Sequence, residues 1–81
     1  MALIDQVADQ CGLFISDLKA QDNYSVIAEI LTQIDSDSFP VTDWNHFITY
    51  LFEKDVAFTS SSQARQTCLE QLNHSFALRS A

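Results

Sequence analysis

The chain has 81 residues and a mass of 9.1 kDa, the size of one domain, since half of it would be too small to hold its own core. Apolar residues make up 47%, which excludes disorder over the whole length, and one Gly with one Pro is too few for the many turns of a β-sandwich or barrel. Eleven Asp and Glu against four Lys and Arg give a net charge of −7, which argues against nucleic-acid or anionic-membrane binding and favours a partner with a basic surface.

In chain order, the first apolar stripe comprises Leu3, Ile4, Val7, Ala8, Cys11, Phe14, Ile15 and Leu18, the spacing of one helix face. It predicts a helix near 2–18, weakened at Gly12 by about 1 kcal/mol relative to Ala, so that the helix is free to end near Cys11. The polar stretch Lys19–Asn23 follows, with Asp22 or Asn23 as a cap. Tyr24, Val26, Ile27, Ile30, Leu31 and Ile34 predict a second helix over 24–34.

Asp35-Ser36-Asp37-Ser38-Phe39-Pro40 is the clearest break. Its Asp and Ser side chains compete for backbone hydrogen bonds, and Pro40 lacks a donor. Trp44, Phe47, Ile48, Leu51 and Phe52 then mark a third helix over 42–55, with Ser38 or Thr42 as its cap. Thr59-Ser60-Ser61-Ser62 is a loop with several caps, and Ala64, Cys68, Leu69, Leu72 and Phe76 mark a fourth helix over 62–78. No segment alternates long enough to predict a strand. The expected fold is all-α: a single domain over 1–81, built as a small bundle of three to four amphipathic helices. The expected core is Val7, Phe14, Ile27, Ile30, Leu31, Trp44, Phe47, Ile48, Leu51, Leu69, Leu72 and Phe76.

No apolar run approaches the roughly 18–20 residues of a membrane span. The start, Met1-Ala2-Leu3-Ile4-Asp5, lacks the basic region of a signal peptide, so a cytoplasmic location is expected. Cys11 and Cys68 are then expected to be reduced and buried.

Little points to catalysis. An EF-hand beginning at Asp35 would need a glycine where Pro40 stands and a glutamate where His46 stands. His46 and His74 lack a second ligand at helical spacing, so no metal is expected. Asp43 is placed to hydrogen-bond His46 one turn on. Gly12, the only glycine, cannot make a phosphate-binding loop. The chain is therefore not expected to be an enzyme.

Asp37-Ser38-Phe39, placed between an apolar helical run and an amphipathic helix, resembles the Asp-Ser-Leu motif of acyl and peptidyl carrier proteins. Ile30 and Ile34 before Ser38, and Phe39, Trp44, Ile48, Phe52 and Val56 after it, occupy places the family keeps apolar. The resemblance implies a four-helix acidic protein in which Ser38 opens a helix and carries 4′-phosphopantetheine, with Asp37 positioning it. It also implies a docking helix, on or near which Asp35, Asp43, Tyr50 and Glu53 meet a basic partner. The other reading of the same residues is a small acidic helical interaction protein of the immunity-protein, antitoxin or inhibitor type. It would have no prosthetic group, and Ser38 would only cap a helix. Monomer and homodimer both remain open.

Overall fold

The computed structural model of the chain describes residues 2–80, and side chains over residues 2–74. Four α-helices carry the fold: α1 (Leu3–Cys11), α2 (Tyr24–Thr32), α3 (Val41–Phe52) and α4 (Ser61–Ser80). Three short 3₁₀ turns lie between them, at Ile15–Lys19, Gln21–Asn23 and Ser36–Ser38. The described residues include no strand, so the expected all-α class holds.

Helix α1 stops where its glycine stands. Gly12 adopts φ 70° and ψ 30°, a left-handed conformation that costs glycine nothing. Its N–H donates to the Asp9 carbonyl at 3.1 Å, and the Leu13 N–H donates to the Ala8 carbonyl at 3.0 Å. Together these bonds form a Schellman close of the helix end. The predicted helix over 2–18 is therefore cut at Cys11, and the helical phase is reset. Phe14 would face the core if the helix continued; instead it is 80% exposed, and Leu18 from the following turn is fully buried in its place. Phe14 is thus not a core residue.

The other helices also end on local chemistry. Helix α2 ends at Thr32, yet Ile34 beyond it is still buried. Helix α3 begins at Val41 with Pro40 at its N-cap, so neither Ser38 nor Thr42 caps it. It ends three residues short of the expected 55 because Glu53 takes φ 55°, ψ 40°, the only positive φ at a non-glycine residue among those described. The Ser60 hydroxyl accepts from the Gln63 N–H at 3.3 Å, capping the start of α4.

One cluster of buried side chains joins all four helices, with α1 and α4 each packing on both α2 and α3. Trp44, Phe47, Ile27, Leu31 and Leu72 lie at its centre, each at most 1% exposed. Each such side chain contributes about 1.5–3 kcal/mol on burial. Tyr24 and Phe52 meet edge to face, with ring centroids 5.8 Å apart. Ile30 and Leu69, expected at the centre, pack on the cluster's margin, and the side chain of Phe76 lies outside the described residues. Among the described residues no helix is long and apolar enough to cross a membrane.

Candidate functional site

The Asp-Ser run folds into a short turn of its own. The Asp35 carboxylate accepts from the Asp37 N–H at 3.1 Å, and the Ser38 N–H donates to the Asp35 carbonyl at 3.0 Å. This is the local competition expected of Asp beside Ser. The indole Nε1 of the fully buried Trp44 donates to the Ser36 carbonyl at 3.0 Å and ties the turn to the core.

Asp35, Asp37 and Ser38 are all exposed on this turn. The Ser38 hydroxyl makes no hydrogen bond, and the residue precedes α3 rather than opening it, since Phe39 and Pro40 intervene. Ser38, Asp35, Phe39 and Gln33 line one side of an open polar groove whose other side is Gln6 and Gln10, one turn apart on α1. The two glutamines are a signal that sequence reading missed: their spacing already places them together on one face.

The remaining expected partner-binding residues do not join this cluster. Asp43 is half-buried in the first turn of α3 and makes no hydrogen bond to His46. Tyr50 and Glu53 sit at the far end of α3, roughly 15 Å along its axis at 1.5 Å per residue. Both are engaged by one cation there. Lys19 Nζ lies 3.3 Å from Glu53 Oε1 and 4.6 Å from the centroid of the Tyr50 ring. The exposed residues of α3 are Thr42 and His46, neither of them an acid. Negative charge is therefore dense on the turn before α3 and sparse on the helix itself.

Among the described side chains, most acids stand at the surface while two of the three cations are engaged. Nine of the eleven acids are exposed, and Asp5 and Asp43 are half-buried. Arg65, by contrast, turns its guanidinium inward to the carbonyls of Leu31, Thr32 and Ile34, and Lys19 pairs with Glu53.

The two thiols are unpaired cysteines. Cys11 is half-buried, and burial raises its pKa; Cys68 is fully buried, and burial pushes its pKa up to about 12. Neither environment favours the thiolate that nucleophilic chemistry requires. Among the described residues no three His, Cys, Asp or Glu side chains converge into a set that holds a metal ion. No family model, curated protein or solved structure matches the chain.

Proposed function

We propose that the protein is a small acidic helical interaction module that docks on a basic surface of another protein. The observation that carries this reading is the imbalance of surface charge: nine of the eleven acids are exposed, while among the described side chains Arg65 is spent on backbone carbonyls, Lys19 is paired with Glu53, and Lys54 alone stands exposed and unpaired. The net charge of −7 on so small a body attracts a basic partner over about one Debye length and raises the rate of encounter. The turn carrying Asp35 and Asp37 is anchored by Trp44, so its two carboxylates are presented from a fixed platform and little ordering cost falls on binding.

The test uses wild type and the double variant Asp35→Lys/Asp37→Lys as bait at low and high ionic strength. Wild type is expected to retain a basic protein at low salt, and the double variant is expected to lose it. An identical retained set for both baits overturns the reading.

A second reading, the carrier protein, is favoured by one specific observation: the exposed Ser38 hydroxyl has no bond within the chain and faces a groove edge open to another enzyme. In it Ser38 carries 4′-phosphopantetheine beside Asp37. Co-expression with a broad-specificity phosphopantetheinyl transferase tests it. An intact mass raised by one phosphopantetheine group on Ser38 supports the carrier, and an unchanged mass overturns it.

A further inference from the structure

A second concavity lies away from the acidic turn, between the C-terminal half of α3, the segment over 53–58 and the middle of α4. Its volume is about 210 Å³. Ile48 and Phe52 of α3, Val56 and Phe58 of the connecting segment, and Cys68 of α4 make its apolar walls. An apolar cavity of about 150 Å³ is enough to hold benzene, so this one accommodates an aromatic ring with a short substituent.

The wall is held in place. Asn45 Oδ1 accepts from the Phe58 N–H at 2.9 Å, and Asn45 Nδ2 donates to the Phe58 carbonyl at 3.1 Å. The side chain of Asn45 thus pairs both backbone groups of one residue, as a neighbouring strand would, and fixes the segment carrying Val56 and Phe58 against α3. Helix α3 ends at Glu53 in the left-handed conformation, which turns the chain out of the helix and over the cavity.

Lys54 lines the same cavity and is exposed, so it stands at the mouth. Among the side chains described, those of residues 2–74, it is the one Lys or Arg with neither a hydrogen bond nor an ion pair, since Lys19 and Arg65 are both engaged. An apolar hollow with one free ammonium at its opening is complementary to a molecule with one ring and one anionic end. The rings of Phe52 and Phe58 favour an aromatic body, which gains from edge and offset contacts beyond area alone. The overall negative charge opposes any anion at long range, but at physiological salt that opposition fades beyond about 8 Å, while Lys54 acts in contact.

We propose that this cavity binds a small aromatic monocarboxylate, its ring between Phe52 and Phe58 and its carboxylate on Lys54. The site is independent of the acidic turn and of both readings of it.

The experiment is a heteronuclear NMR titration of the full chain with 3-phenylpropionate and, separately, with its neutral isostere 3-phenylpropanamide. Saturable shifts at millimolar ligand are expected, confined to residues 45–58 and the adjoining face of α4. The carboxylate should bind about fivefold more tightly than the amide, the worth of one ion pair at a half-open mouth. Lys54→Gln, a surface change that leaves the fold intact, should bring the carboxylate down to the amide's affinity. Val56→Phe, which fills the hollow, should abolish both. Equal affinities in wild type, a carboxylate preference that survives Lys54→Gln, shifts elsewhere in the chain, or no saturable shift would each overturn the proposal.

Discussion

The Nε of Arg65 lies 3.0 Å from the carbonyl oxygen of Ile34, two residues past the end of α2, so a side chain of α4 holds the chain where it leaves another helix. The same nitrogen lies 3.2 Å from the Leu31 carbonyl, and Nη2 lies 3.2 Å from that of Thr32. The Leu31 and Thr32 carbonyls belong to the last turn of α2, which lacks i+4 partners within the helix and carries its negative end, and that of Leu31 also accepts from the Ile34 N–H at 3.2 Å. Arg65, projecting from α4, supplies both the donors and the charge. Arg65→Ala should lower stability by about 1.5–3 kcal/mol, the range for hydrogen bonds to charged donors. Arg65→Lys should recover less than half of that, because a single ammonium cannot reproduce the planar fork. Urea unfolding of the three proteins checks both expectations; a lysine variant equal to wild type would show that only the charge matters.

Gly12 and Glu53 share the left-handed backbone with opposite consequences. A Cβ at Gly12 meets nothing within 4 Å, so strain there comes from φ of +70° alone. That strain is about 1–2 kcal/mol, less roughly 0.4–1 kcal/mol returned by a stiffer unfolded chain. Gly12→Ala should therefore cost about 1 kcal/mol, visible as a lower unfolding midpoint. Glu53 already bears the strain at φ 55°. Glu53→Gly should relieve it while losing an exposed ion pair with Lys19 worth at most about 1 kcal/mol. Its midpoint is expected within about 0.5 kcal/mol of wild type. A large loss would show that Lys19, Tyr50 and Glu53 act as a unit.

The buried thiol sets an alkaline limit. Burial raises the pKa of Cys68 from 9.0 to about 12, and burial also raises those of Cys11 and Tyr24. A thiol whose folded pKa lies above its unfolded value binds its proton more tightly in the folded state. Between those two values the unfolded chain holds fewer protons, so stability falls as pH rises. The contribution is complete below about pH 9 and is lost progressively toward pH 12. Denaturation midpoints should decline across that window, and Cys68→Ala should make the decline shallower at the cost of a lower starting stability. In the native protein an alkylating reagent should modify Cys11 first, with Cys68 reacting only on unfolding. Equal labelling of both in the native state would contradict the burial of Cys68.

The stripe Trp44, Phe47, Ile48 and Leu51 is legible in the sequence because a helix face repeats locally, and all four side chains are buried. The fate of Phe14 is not legible in the same way. Periodicity places Phe14 and Leu18 on one face, but a single φ at Gly12 resets the phase, and of the two only Leu18 is buried. The exposed turn over 35–38 was readable from Asp and Ser clustered before Pro40, whereas its anchor on Trp44 was not. The distance of Tyr50 and Glu53 from that turn follows from their place along α3, but their engagement by Lys19 was not legible, since Lys19 lies 34 residues from Glu53 in the chain and beside it only after folding. The roles of Arg65 and Asn45 are not legible for the same reason: each acts on backbone groups of a distant segment, and no residue type at a fixed spacing announces that.

Ser38 and Asp35 sit three residues apart in one turn, and their side chains do different things there. The Asp35 carboxylate accepts the Asp37 N–H, whereas the Ser38 hydroxyl accepts and donates nothing within the chain. Asp35→Ala should therefore cost about 0.5–1 kcal/mol, as expected for a side-chain cap of a short exposed turn. Ser38→Ala should change stability by less than about 0.5 kcal/mol, as at surface positions free of such features. Thermal unfolding of both variants separates the two roles. It also clears the ground for the functional tests, since a stability-neutral Ser38→Ala that loses phosphopantetheinylation has lost an attachment point and nothing else. If Ser38→Ala instead destabilises as much as Asp35→Ala, the hydroxyl supports the turn in solution, and the case for Ser38 as a free attachment group falls with it.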